Sequence, residues 1–176
     1  TLQLVVSAYA VASSGFLLVG GRAADLLGQR RMLATGLVLY TVASLAGGLA
    51  TGPATQLAAR VVQGLGGALV FPATLAVVTT TYAEGRERNR ALGIWGAAGA
   101  AGLVIGVLLG GVLTRYLGWS SVFFVNVPLA VGALVLLLAL LLLGALVLLA
   151  LLPGLAPLVL LRLALLVVLR GGLVVL

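Results

Sequence analysis

The chain has no cysteine, no histidine and no lysine, and its acids are limited to Asp25, Glu84 and Glu87. Without cysteine there is no disulfide, no zinc–thiolate site and no thiol chemistry. Without histidine, neither a Ser-His-Asp triad nor a histidine-bearing metal site can be built. The chain therefore reads as something other than an enzyme, with no metal and no organic cofactor. A membrane enzyme is the weakest rival, because paired intramembrane acids are missing too. Charge of any kind is scarce, at 7% of residues against 63% apolar. That apolar share stands well above the roughly 45–50% of soluble domains, and mean hydropathy is +1.34. This is a chain for lipid.

What charge exists is basic, with ten arginines and a formal net charge of +7. A nucleic-acid partner would call for a basic face. Here the arginines fall mostly in short connectors between apolar runs, which excludes nucleic acid and fits topogenic charge. The opening residues carry no charged n-region and no cleavage site, so they are not a signal peptide. The chain opens without Met, almost directly in an apolar run, and is expected to be a fragment.

Apolar runs span Leu4–Gly20, Met32–Ala50, Leu57–Tyr82, Ala91–Thr114 and Val122–Leu143. Each is near the ~20 residues that a membrane helix needs. Barrel strands are about half that length and alternate in polarity, so helix is the consistent reading. A further run, Leu158–Leu176, is a candidate sixth span carrying Arg162 and Arg170, set off by a turn at "PGLAP", Pro153–Pro157. The expected fold class is all-α, a polytopic transmembrane bundle of five to six helices. Residues 1–130 form its organised part, and 131–176 a low-complexity apolar tail with no functional account.

Two connectors, Gly21–Arg31 and Ala83–Arg90, carry Arg22, Arg30, Arg31, Arg86, Arg88 and Arg90. The connectors alternating with them carry Arg115 alone. The positive-inside rule places 21–31 and 83–90 in the cytoplasm and the first residues outside. Orientation alone does not explain the first connector, "GGRAADLLGQRRM". Its glycines permit a tight turn and close helix approach. Asp25 either caps the next helix start or serves a partner elsewhere.

That connector resembles the cytoplasmic signature loop of the major facilitator superfamily, G-x-L-a-D-r-x-G-r-k. Gly21, Asp25, Gly28 and Arg30 match; Ala23, Leu26 and Gln29 depart. Three further segments match in order: "RVVQGLGGA" (60–68) the R-x-x-q-G-x-g-a motif, "GLVIGVLLGG" (102–111) the antiporter glycine motif with Val107 where proline usually stands, and "WSSVFFVNVP" (119–128) a segment of the drug–proton antiporter branch. Together they cover about residues 3–130. The resemblance implies family helices two to six of an N-terminal half. It also implies a missing first helix and a missing C-terminal half as partners, beside the lipid bilayer and a small-molecule substrate. The implied activity is proton-coupled export of drugs or other small molecules by alternating access at the plasma membrane, driven by the proton gradient. A sugar or metabolite carrier of the same fold and a non-transporting membrane scaffold stand as rivals. In the family, the aspartate matching Asp25 locks one conformation by contacting a helix start in the other half.

Two features are candidate working parts. Arg60 lies one to two turns inside the third span, with Gln63 and Gly64 on its face at i+3 and i+4. A charge at the bilayer centre costs about 2.5–3.5 kcal/mol, so Arg60 either snorkels to the outer headgroups or lines a cavity and takes part in coupling. Ala98, Gly102, Gly106 and Gly110, with Gly111 beside them, form a stripe of small residues repeating every four positions. Such stripes admit close helix packing, static or sliding.

Overall fold

The computed structural model describes the backbone of residues 2–172 and the side chains of 7–151. Five helices follow in order: α1 (Leu2–Leu27), α2 (Gln29–Gly48), α3 (Pro53–Thr81), α4 (Arg86–Leu117) and α5 (Trp119–Gly172). No strand occurs among the described residues. Each helix contains a stretch long and apolar enough to cross a membrane, namely Ser7–Leu27, Gln29–Gly48, Pro53–Thr81, Arg86–Leu117 and Trp119–Leu151. The all-α transmembrane expectation holds.

The connectors are shorter than the charge pattern implied. The stretch 21–31 is helix at every position but one. Arg22 and Asp25 ride the last turns of α1, Arg30 and Arg31 the first turn of α2, and Gly28 alone makes the turn. Its φ of 96° lies where a side chain is strained and glycine is not. Its amide donates to the Ala24 carbonyl at 3.1 Å and its carbonyl accepts from the Met32 amide at 3.1 Å. Gly28 is the N-cap of α2, with no side-chain cap, so Asp25 does not cap that helix. Gly118, at φ 83°, likewise turns the chain alone between α4 and α5. A helix satisfies its own backbone groups, so in a poorly hydrated setting the helix is extended until a glycine permits reversal.

The turn expected at Pro153–Pro157 is also absent, and α5 continues through both prolines to Gly172. Leucine and alanine on either side are strong helix formers, and a proline removes one donor without abolishing the others. Pro72 sits inside α3 in the same way. The separate sixth span at 158–176 is therefore not seen through Gly172. The side chains of Arg162 and Arg170, and everything from 173 on, lie outside the described residues.

The chain divides into two compact units, Thr1–Leu134 and Val135–Leu176. In the first, α3 packs on both α1 and α2, and small residues set the approach. A Cβ on Gly20 would overlap the Ala68 carbonyl oxygen, and one on Gly64 would sit 2.8 Å from both the Ala12 Cβ and the Tyr9 carbonyl oxygen. On the other side of α3, Gly36 and Gly66 face each other, each 2.9 Å from the other's carbonyl oxygen once a Cβ is added. Such approach lets backbones meet in lipid, where apolar bulk gives helices no net preference for one another. By contrast α4 has no buried residue and touches α3 chiefly through Trp95. The Trp95 ring lies 4.9 Å from that of Phe71, and its Nε1 donates to Thr74 Oγ1 at 3.3 Å. In the second unit the described backbone, residues 135–172, is helical.

Candidate functional site: an arginine cluster and a cavity

Arg60 sits two turns inside α3 from Pro53, and the helix periodicity puts Gln63 beside it. Arg60 Nη1 donates to Gln63 Oε1 at 3.0 Å. Gln63 Nε2 donates to Ser44 Oγ on α2 at 2.8 Å, and Ser44 Oγ donates to the Tyr40 carbonyl at 2.7 Å. Donation thus runs one way, from the guanidinium on α3 to a backbone oxygen on α2. Gln63 and Ser44 are fully buried, where polar groups require partners, and each has one. Arg60 Nε is buried without a hydrogen-bond partner among the described residues.

The guanidinium also lies over a ring. Arg60 Cζ stands 4.3 Å from the centroid of Phe123, one turn into α5. That distance is within the range of cation–π attraction, about 2 kcal/mol when desolvated. Phe123 is completely buried and keyed against α2, where a Cβ on Gly47 would overlap the ring. The half-buried Arg60 head is thus held by a hydrogen bond on its own helix and a ring from α5.

Gly64 does not add an open backbone patch to this face. It is buried against α1 and belongs to the α1–α3 crossing.

The same unit holds a partly open cavity of about 720 Å³ to which all five helices contribute. Its polar points are Tyr9, Tyr40, Thr74, Trp95 and Asn126, and among the described residues no charged one lines it. Arg60 is not on its wall. Ala98 is, but the rest of the glycine stripe is not.

The stripe itself meets nothing. Built Cβ atoms on Gly102, Gly106, Gly110 and Gly111 find no heavy atom within 4 Å, so close packing against another helix does not occur within the described residues. The signature connector is likewise open. Asp25, Gly28 and Arg30 are exposed, and among the described residues the one ion pair is Arg88–Glu84 at 3.2 Å. Gly21 faces Pro72 of α3, 3.9 Å from a built Cβ. Thr80 Oγ1 donates to Gln29 Oε1 at 3.2 Å, which ties the α3 end to the Gly28 turn at one end of the bundle. No group of three or more potential metal ligands occurs among the described residues.

Sequence reasoning missed Ser44, Gly47 and Phe123. Ser44, a hydroxyl in an apolar run, carried a readable signal; Phe123 lay within the matched segment 119–128, but nothing in that segment told which helix its ring meets.

Five long apolar helices, with a cation held inside them by polar and aromatic partners, define a multi-pass α-helical membrane protein. The chain belongs to the major facilitator superfamily, whose family model, "Major Facilitator Superfamily", matches residues 1–146. It is similar to the cephamycin export protein of Amycolatopsis lactamdurans, at 48% identity over 136 residues, covering 77% of this chain and 28% of that protein. The puromycin resistance protein of Streptomyces alboniger is 44% identical over 133 residues, 76% of this chain and 26% of that protein. A multidrug resistance protein of Mycobacterium tuberculosis is 43% identical over 139 residues, 79% of this chain and 26% of that protein. The chain thus spans about a quarter of the length of the curated relatives it matches. The resemblance drawn from the four motifs is the family these comparisons show.

Proposed function

We propose that this chain is part of the N-terminal half of a plasma-membrane exporter that moves drugs or other small molecules out of the cell against proton entry. The observation that carries the reading is the similarity, at 43–48% identity, to proteins named for cephamycin export, puromycin resistance and multidrug resistance. The Arg60 cluster supports it, since burying a cation in a membrane helix is unfavourable and such residues serve pathways or couplings. The ends of the bundle bearing Gly28 and residues 82–85 face the cytoplasm, in keeping with the arginine distribution. No cofactor takes part, and the proton gradient is the driving force.

The remaining working parts come from the longer polypeptide. Substrate lies near the midplane between two halves that rock against each other. The half described by these helices supplies one wall, and a further helix together with a second half supplies the rest. The exposed stripe Gly102, Gly106, Gly110 and Gly111 is a surface for that second half, and Asp25 contacts a helix start there.

The test uses the full-length transporter in everted vesicles, reading drug-driven proton exchange by a pH-sensitive dye. Arg60→Ala is expected to abolish exchange while the protein remains in the membrane. Wild-type exchange by that variant would remove Arg60 from the coupling path. Absence of any drug-driven exchange by the unmodified protein would overturn the export reading.

A further inference from the structure

The Arg60 guanidinium has three distinct surroundings: Gln63 on its own helix, the ring of Phe123 from α5, and its unpartnered Nε. One hydrogen bond donated to a side chain on the same helix leaves a long arginine free to rotate about its stem. The ring removes that freedom. It is itself immobile, because it is completely buried and lodged against α2 where Gly47 leaves no side chain in the way. Three helices thus meet at one aromatic ring: α2 through Gly47, α3 through Arg60 and α5 through Phe123. Gly48 repeats the arrangement with Phe124, 2.8 Å from the Phe124 Cε1 once a Cβ is added. The two neighbouring glycines of α2 therefore seat the two neighbouring aromatics of α5.

We propose that Phe123 is a positioning residue for Arg60, and that Gly47 is glycine to admit the ring that fixes the guanidinium. This rests on the reading that Arg60 takes part in transport, and it adds how α5 is joined to that arginine. If α5 moves relative to α3, the ring leaves the guanidinium and the cation becomes free to reorient. The ring therefore links the state of the cation to the packing of α5.

Two readouts on the full-length transporter test this separately. The first is the rate at which phenylglyoxal, an arginine-selective reagent, labels Arg60, followed by peptide mass spectrometry. Phe123→Leu keeps an apolar side chain but removes the ring face, and is expected to raise labelling about thirtyfold, the equivalent of a desolvated cation–π contact. Phe123→Tyr retains the face and keeps labelling near the unmodified rate. Gly47→Ala, which displaces the ring while leaving both Arg60 and Phe123 unsubstituted, raises labelling as Phe123→Leu does. Equal labelling in Phe123→Leu, Gly47→Ala and the unmodified protein overturns the positioning role. Should Phe123→Leu fail to reach the membrane, Gly47→Ala and Phe123→Tyr still decide the question.

The second readout is drug-driven proton exchange as a function of pH. Phe123→Leu is expected to lower kcat and shift the pH profile with little change in KM, and Phe123→Tyr to restore both. A kcat and pH profile identical to the unmodified protein in Phe123→Leu, with Arg60→Ala inactive, overturns the coupling to α5. Increased labelling alongside full exchange in Arg60→Ala would leave the ring contact standing and remove the transport role of Arg60 instead.

Discussion

Gln63 of α3 donates to Ser44 of α2 at 2.8 Å across the packed face of two helices, and both side chains are wholly enclosed. The pair joins α2 to α3 at the level of the Arg60 head, so its loss is felt in both helix packing and the arginine.

Ser44→Ala leaves Gln63 Nε2 without its acceptor. Interhelical hydrogen bonds in membrane proteins contribute about 0.6 kcal/mol on average and up to about 1.7 kcal/mol, and an enclosed orphan donor lies at the upper end. The expected loss is about 1–2 kcal/mol, read from thermal unfolding of the full-length protein in detergent. Combining Ser44→Ala with Gln63→Leu should cost less than the sum of the two single changes, because the orphan is removed with its donor. Strict additivity would mean that the two side chains do not interact.

Two glycines of α1 should respond to alanine with opposite sign. Gly15 has nothing within 4 Å of a built Cβ, whereas Gly20 has the Ala68 carbonyl in that space. Gly15→Ala is expected to stabilise the protein by about 0.5–1 kcal/mol through helix propensity. Gly20→Ala is expected to destabilise it by about 1–3 kcal/mol, since backbone has to move to admit the methyl group. Thermal unfolding of both variants gives the sign directly, and a shared sign would contradict the α1–α3 crossing.

Gly106→Leu separates folding from transport. Its side chain enters space that no described residue fills, so membrane expression and thermal stability should stay close to those of the unmodified protein. On the proposed reading of the stripe as a surface for the second half, drug export in intact cells should nonetheless be lost. Export at the normal rate would take the stripe out of the mechanism.

The lack of native cysteine in this chain gives a clean background here for single-cysteine topology mapping. With any cysteines outside these 176 residues replaced, a cysteine at Thr51 should react with an impermeant maleimide from outside intact cells. A cysteine at Glu84 should react only after the membrane is opened. The reverse pattern would invert the bundle and with it every sided role assigned to Asp25 and Arg60.

Fold class was legible because span length and the lack of polar alternation leave helix as the one regular structure that satisfies its backbone in lipid. The ends of the helices were not. Charge marks the side of the membrane, and it was read as marking loops; yet Arg22, Asp25, Arg30 and Arg31 are helical, because a charged side chain can project from an exposed helix end while the backbone stays bonded. The turn at Pro153–Pro157 failed for a related reason, since proline weakens a long leucine-rich helix without ending it. At the site, the i+3 spacing of Arg60 and Gln63 was enough to pair them. Ser44, Gly47 and Phe123 come from other helices, and which face of α2 or α5 turns toward α3 is a tertiary fact that no periodicity within one apolar span reports. Gly64 shows the same limit, since small residues serve a backbone crossing and an open wall equally well.

The single-glycine reversal at Gly28 has a mechanical corollary. With one residue between them, α1 and α2 share no slack at that end of the bundle, and a tilt of either drags the end of the other. Asp25 and Arg30 are therefore carried as fixtures of two rigid levers joined at a pin. A displacement of α1 at Asp25 therefore reaches the α2 helix that carries Ser44 and Gly47.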